Sequence, residues 1–176
     1  MLKQLFHLVI LSAIFFLGSC RKENVCNEVG AFPTSAEIDS LRTYLADNNI
    51  DAIEDPRGFF YEVNHKEESQ YKPGICADIL VNFTGYVLNE ENEVYASGVS
   101  VVYDLNTRNA VSSSSSSSSQ NVQLPVGLRY GVPMMSKGAT YTFYFPPTLG
   151  YGVAGLNSTV DPDEMVMIKV KLLSFN

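Results

Sequence analysis

The sequence predicts an α+β domain that consists mainly of antiparallel strands. Three observations favour this class: short segments in which apolar and polar residues alternate, one helix signal near the start, and turn residues between these segments. The helix signal is the capping-box pattern Thr34-Ser35-Ala36-Glu37, followed by Ile38, Leu41 and Leu45 at helical spacing. We therefore expect a helix from about Ser35 to Asp47 that packs on its own domain.

Strand-like segments follow the helix in order. Their approximate bounds are residues 59–63, 79–83, 94–105, 140–145 and 165–175. A short helix is expected from Leu128 to Met135, despite Pro133. The run of eight serines at Ser112–Ser119 cannot bury apolar surface, so we expect a flexible insertion there.

Composition excludes several function classes. The chain has 176 residues and a mass of 19.4 kDa, which suits one domain with appendages. Its net charge is −7 and no basic stripe is present, so nucleic-acid binding is disfavoured. The chain has only two histidines, His7 and His65, and no zinc, phosphate-loop or catalytic-triad motif. We expect no metal and no cofactor, and any activity must work through a shaped apolar pocket.

The N-terminus has the pattern of a secretory signal. Lys3 precedes an apolar run that is too short to span a bilayer, and the run ends in Leu17-Gly18-Ser19-Cys20. This ending resembles the lipobox of bacterial lipoproteins, in which the cysteine is lipidated and becomes the first mature residue. The resemblance implies a signal peptide at residues 1–19, lipidation at Cys20 and a tether at residues 20–33. The expected location is the cell envelope. The lipid would anchor the protein to a bacterial membrane, and we expect this to be the outer membrane, with the protein facing the periplasm.

Two cysteines remain after lipidation. Cys26 and Cys76 would lie in a compartment that permits disulfides. The sequence leaves open whether they form a bridge or stay as two free thiols.

Four motifs between Val81 and the C-terminus occur in the order of a known family. They are Val81-Asn82-Phe83-Thr84-Gly85, Met135-Ser136-Lys137-Gly138, the stretch from Phe145-Pro146-Pro147 to Gly152, and Val160-Asp161-Pro162 with the final strand. This succession resembles the FKBP-type peptidyl-prolyl isomerases, over roughly residues 57–176. Residues 34–56 resemble the N-terminal helical extension of secreted bacterial members.

The resemblance implies a fold and a site. The fold is a half-open antiparallel sheet wrapped around one short helix, with a ligand pocket between the helix and the sheet. Tyr151 and Phe83 match pocket residues assigned to catalysis, and the Tyr151 hydroxyl would bond a substrate carbonyl. Leu128 stands where the family has a tryptophan floor. Val160 and Ile168 match wall residues.

The Phe-Asp pair of the family has two candidates in this chain. Tyr95-Ala96 has the better spacing from Gly85 but lacks the aspartate. Tyr103-Asp104 has the right chemistry but needs an eight-residue insertion. Both pairs stay open as substrate-binding candidates.

The implied activity is prolyl cis-trans isomerisation in the cell envelope. The expected partners are proline-containing segments of exported proteins, together with the membrane that holds lipidated Cys20. The alternatives are an FKBP-like lipoprotein that binds a partner without catalysis and, as a weaker reading, an unrelated structural protein of the envelope.

Overall fold

The computed structural model describes residue 26 and residues 29–88, 93–113 and 122–176. The strands of this part of the chain are β1 (Ile53–Asp55), β2 (Phe59–His65), β3 (Asp78–Val87), β4 (Val94–Asp104), β5 (Asn109–Ser113), β6 (Thr140–Phe145) and β7 (Val166–Phe175). They form one antiparallel sheet with the order β1-β2-β6-β7-β3-β4-β5. The helices are α1 (Ser35–Asp47) and the four-residue α2 (Leu128–Gly131), and 3-10 turns span Val132–Met134, Pro147–Leu149 and Gly152–Ala154. The predicted α+β class, with an N-terminal helix, is confirmed.

Helix α1 has the bounds that its sequence predicts. The Thr34 side chain accepts a hydrogen bond from the Glu37 amide at 3.3 Å, and the Glu37 carboxylate accepts one from the Thr34 amide at 2.8 Å. This reciprocal pair satisfies two of the donors that a helix start leaves open. The helix ends at Asp47 because Asn48 and Asn49 leave helical geometry, Asn49 with a φ of 55°.

Two short strands were not predicted. β1 has only three residues and no alternation that the sequence would reveal. β5 includes Ser112 and Ser113, which pair with Val102 and Val101 of β4. The hydrogen bonds between strands join backbone donors and acceptors, so these two serines can be part of a strand although their side chains are not apolar. The six serines that follow lie outside the described residues.

The main core lies between the sheet and α2. We call the side of the sheet that faces α2 the inner face. Alternate residues of β3 point to it, among them Ile79, Val81 and Phe83, and the opposing strand β7 contributes Ile168 and Val170. The short helix and the strands therefore share one apolar core. The family resemblance predicts the ligand pocket at this place.

Helix α1 covers the opposite side, which we call the outer face. Leu41 and Leu45 pack with Phe60 of β2 and Tyr144 of β6 in a second, smaller cluster. The Glu37 carboxylate also accepts hydrogen bonds from the amide and hydroxyl of Thr148, at 2.9 and 2.7 Å. The helix thus packs on its own domain, as its apolar stripe suggested.

The segment before α1 is attached to the domain at several points. Cys26 and Cys76 form a disulfide, with their Cα atoms 5.8 Å apart. The Tyr130 hydroxyl donates to the carbonyl of Val29 at 2.7 Å, and Val29 is buried. A cross-link over about 50 residues is worth roughly 4 kcal/mol by loop-closure entropy. The end of the expected tether therefore lies against the domain.

In the part of the chain that the structure describes, no helix has the length and apolar character needed to cross a membrane. The expected signal peptide and Cys20 lie outside the described residues.

Candidate functional site

Two glycines, Gly127 and Gly131, allow helix α2 to pack closely against the sheet. A side chain at Gly127 would overlap the ring of Phe145, and one at Gly131 would overlap the ring of Phe143. The absence of Cβ atoms at these positions permits close contact between the helix and β6. Leu128, the first residue of the helix, is 1% exposed and faces the core.

The structure brings seven of the predicted site residues into one apolar cluster. Six of them are buried and Tyr151 is partly buried. We call this set the inner-face cluster; its members are Phe83, Tyr95, Tyr103, Leu128, Tyr151, Val160 and Ile168.

Edge-to-face ring contacts order the aromatic part of the inner-face cluster. The rings of Tyr95 and Tyr151 have centroids 5.6 Å apart at an interplanar angle of 87°. Phe83 and Tyr103 make a similar contact at 5.7 Å and 77°. Such geometry places the positive edge of one ring against the negative face of the other, which favours a defined arrangement over a loose one.

The three tyrosine hydroxyls of the inner-face cluster differ in their hydrogen bonding. The Tyr103 hydroxyl donates to the carbonyl of Val122 at 3.1 Å, and the Tyr151 hydroxyl donates to the carbonyl of Gln123 at 2.9 Å. The Tyr95 hydroxyl is buried and makes no hydrogen bond of acceptable geometry, although it lies close enough to Tyr151 for the two groups to interact.

Burial keeps all three hydroxyls protonated. It raises the pKa of Tyr103 to about 12. Burial is also the main cause that raises the pKa of Tyr95 and Tyr151 above the ordinary value, because removal from water disfavours the phenolate. All three groups are protonated at physiological pH, as ordinary tyrosines are, and burial extends this state to more alkaline pH.

Arg108 contacts the backbone directly after the two carbonyls that accept these hydrogen bonds. The Leu124 amide donates to the carbonyl of Arg108 at 3.0 Å, and the Arg108 guanidinium donates back to the carbonyl of Leu124 at 2.7 Å. Burial lowers the pKa of Arg108. Sequence reasoning missed Val122 and Gln123 because a backbone carbonyl leaves no side-chain signal.

The two candidates for the Phe-Asp pair occupy different places. Tyr95 contacts Tyr151, and its neighbour Ala96 pairs with Gly85 of β3. Tyr103 joins the inner-face cluster, but the Asp104 carboxylate accepts hydrogen bonds from the Asn106 amide at 2.8 Å and the Thr107 hydroxyl at 3.0 Å. Asp104 thus stabilises the turn that follows β4.

Among the described residues, no group of three or more histidine, cysteine, aspartate or glutamate side chains is placed to hold a metal ion. The inner-face cluster offers hydroxyl donors and apolar walls, with no acid–base pair and no nucleophile.

Comparison with known proteins identifies the family. The family model described as FKBP-type peptidyl-prolyl cis-trans isomerase matches residues 72–173. The chain belongs to this family. Its enzyme class is therefore that of the peptidyl-prolyl cis-trans isomerases.

Solved structures agree on the fold. A peptidyl-prolyl cis-trans isomerase from Pseudomonas syringae superposes with a TM-score of 0.61 and 16% identity, over 82% of this chain and 96% of that chain. FkpA from Escherichia coli gives a TM-score of 0.60 and 17% identity, over 80% of this chain and 60% of that chain. A search of curated proteins found no match.

Two positions of this FKBP-type chain depart from the family pattern that the sequence resembles. Leu128 stands where the pattern has a tryptophan floor. The Phe-Asp pair is matched only in part by either candidate, because Tyr95-Ala96 lacks the aspartate and Tyr103-Asp104 needs an insertion. The site consequently has a smaller floor and a different distribution of polar groups.

Proposed function

We propose that the inner-face cluster is an apolar groove that binds X–Pro segments of exported proteins and accelerates their cis-trans isomerisation. The observation that carries the proposal is that Phe83, Leu128, Tyr151, Val160 and Ile168, which the family resemblance selects as site residues, share one cluster beside α2. Tyr151, the partly buried member, stands at its rim.

The proposed mechanism is desolvation combined with anchoring. Rotation about a peptide bond faces a barrier of about 18–20 kcal/mol, because twisting removes amide resonance. The planar amide is the more charge-separated form, so apolar walls stabilise it less than water does, and the twisted state is relatively favoured. Phe83, Val160 and Ile168 supply such walls in this proposal.

Anchoring would come from Tyr151. Its hydroxyl already donates to the carbonyl of Gln123, so a substrate carbonyl would receive this bond by exchange. Exchange conserves the number of hydrogen bonds, and its net contribution to binding is therefore small. No side chain has to transfer a proton, which fits a site without an acid–base pair.

A matched pair of variants tests whether the groove lies on the inner face. Phe83 and Phe60 are buried to a similar extent, 5% and 4% exposed, on opposite faces of the sheet. Phe83→Leu should lower kcat/KM for a tetrapeptide Ala-Leu-Pro-Phe about tenfold, whereas Phe60→Leu should leave it within twofold. The assay uses the full chain in mild detergent, at a temperature where circular dichroism shows both variants folded. Equal loss in the two variants would place the activity elsewhere.

A second candidate is a binding module of the same fold that holds partner chains without isomerising them. The replacement of the tryptophan floor by Leu128 favours this candidate. Binding of the same tetrapeptide, measured by calorimetry, combined with no acceleration of its isomerisation, would select it.

We further propose that the protein is anchored to a bacterial membrane through lipid on Cys20, on the periplasmic side of the outer membrane. The lipobox-like ending Leu17-Gly18-Ser19-Cys20 supports this proposal. Only six peptide units separate Cys20 from Cys26, which is bridged to Cys76, so the bridged end of the domain would lie within about 20 Å of the anchor.

Cys20→Ala tests the anchor. We expect the variant to lose acyl labelling and to move from the membrane fraction to the soluble fraction. The matched control is Ser19→Ala, which keeps a small residue before the cysteine and should remain in the membrane fraction. Unchanged fractionation of Cys20→Ala would contradict the proposal.

A further inference from the structure

The inner-face cluster is covered in the structure. Each of its six buried members is at most 6% exposed. Part of the cover is formed by residues 122–125, which we call the strap. Val122 and Leu124 of the strap belong to the same apolar core as the cluster, and Pro125 is also buried. A peptide that reaches the apolar walls must therefore displace a part of the protein itself.

The backbone of the strap is held by side chains. The carbonyls of residues 122, 123 and 124 each accept one hydrogen bond. The donors, in that order, are the hydroxyl of Tyr103 at 3.1 Å, the hydroxyl of Tyr151 at 2.9 Å and the guanidinium of Arg108 at 2.7 Å. Hydrogen bonds to the main chain give affinity for an extended polypeptide whatever its side chains are. The donors around the cluster thus bind a polypeptide segment, and this segment is the protein's own.

The strap also contains the group that the groove is proposed to bind. Its last two residues are Leu124-Pro125, an X–Pro pair with an apolar residue before the proline. Beyond this pair the chain is fixed to the domain, since the Gly127 amide donates to the Leu149 carbonyl at 2.7 Å. The strap can therefore leave the cluster while helix α2 stays in place.

We propose that the strap is an internal competitor of the substrate. A substrate X–Pro segment binds when the strap leaves, and a substrate carbonyl then accepts the bond from the Tyr151 hydroxyl. The inference rests on the proposed function, because it names what controls access to that groove. The apparent affinity for substrate is reduced by the fraction of molecules in which the strap is open. Arg108 is a positioning residue in this account, since it holds the strap and does not touch the substrate.

Arg108→Met in the full chain tests the proposal, with the tetrapeptide Ala-Leu-Pro-Phe as the probe. Methionine keeps an extended side chain but donates no hydrogen bond, so the strap should open more often. We expect the peptide Kd, measured by calorimetry, to fall about three- to tenfold while the Tm also falls. The matched control is Arg42→Met in α1, which loses a bond to the Glu54 carboxylate and should leave the Kd within about twofold. Tighter binding by a less stable protein is not expected from a residue that only supports the fold.

Amide hydrogen exchange of the wild type provides a second measurement, which does not depend on the folding of any variant. The Leu124 amide donates to the carbonyl of Arg108 at 3.0 Å, and this bond breaks when the strap leaves. Saturating tetrapeptide should speed exchange at Leu124 by about fivefold or more. The Gly127 amide serves as the internal control and should keep its protection.

The opposing results separate the strap from the proposed function. If the wild type isomerises the peptide but Arg108→Met binds it no more tightly, the proposal for the strap is overturned and the isomerase function stands. Exchange at Leu124 that is not accelerated by the peptide would overturn it in the same way. If neither the wild type nor Arg108→Met binds or isomerises the peptide, the proposed function is overturned as well. Activity that is present only in Arg108→Met would support both proposals.

Discussion

The two faces of the sheet differ in how they use their buried hydroxyl groups. On the outer face, the Tyr144 hydroxyl donates to the Glu62 carboxylate at 2.6 Å, Thr34 and Glu37 form the capping box of α1, and Thr148 donates to the Glu37 carboxylate. On the inner face, the Tyr103 and Tyr151 hydroxyls donate to backbone carbonyls, and the Tyr95 hydroxyl is buried close to Tyr151. Both faces have apolar clusters of comparable side chains, so apolar burial alone does not distinguish them.

In the proposed function, the outer face supports the fold and the inner face binds the substrate. On the outer face, Glu37 of α1 accepts hydrogen bonds from Thr148, and the Tyr144 hydroxyl of β6 donates to Glu62 of β2. The inner face has apolar side chains packed around Tyr151, which is partly buried. We therefore expect outer-face substitutions to change stability without changing activity, and we expect selected inner-face substitutions to do the reverse.

The largest effect is expected for Leu41→Ala on the outer face. Leu41 is fully buried under α1, and the loss of such a leucine costs about 2–5 kcal/mol of the free energy of unfolding. Urea unfolding should show this loss. The kcat/KM of the remaining folded protein should stay within twofold of the wild type, and a parallel tenfold loss of activity would remove the distinction between the faces.

Alkaline pH tests the burial of the inner-face tyrosines. The pKa of Tyr103 is raised to about 12, so the folded state keeps the phenol neutral after the unfolded state has begun to ionise near pH 10. The stabilisation is fully present below pH 10 and is lost as the pH rises towards 12, by about 2 kcal/mol for a shift of this size. The Tm should fall over this window, and less steeply in Tyr103→Phe. Identical slopes would show that Tyr103 is accessible to solvent.

A smaller effect is expected for the helix cap on the outer face. Thr34→Ala removes the capping box and should lower the free energy of unfolding by about 1 kcal/mol. The matched control is Thr43→Ala, whose exposed hydroxyl bonds only the Asp39 carbonyl one turn earlier, and it should change stability by less than about 0.5 kcal/mol. Activity should not change in either variant.

Local signals in the sequence predicted much of the fold. The bounds of α1 were predicted because the capping box and the apolar spacing both lie within the segment itself. Strands β6 and β7 were predicted because the pattern of alternating residues in each extends over enough positions to be recognised. The three-residue β1 and the serine-containing β5 were missed, since each depends on backbone pairing with a neighbour that the sequence does not specify.

The site could be predicted only in part. Family motifs selected Phe83, Leu128 and Tyr151, and the structure places them in one cluster. The partners of the tyrosine hydroxyls were not predictable, because they are backbone carbonyls brought close by the fold. The Cys26–Cys76 bridge stayed open for the same reason, since spacing along the chain carries no information on distance in space.

The central claim is that the inner face accelerates the isomerisation of X–Pro bonds. Exchange NMR on the tetrapeptide Ala-Leu-Pro-Phe, with the full chain in detergent, measures the cis-trans interconversion rate directly. We expect a rate that rises in proportion to protein concentration, persists in Leu41→Ala and falls in Phe83→Leu. An interconversion rate equal to that of the free peptide, at every concentration of folded protein, would contradict the claim.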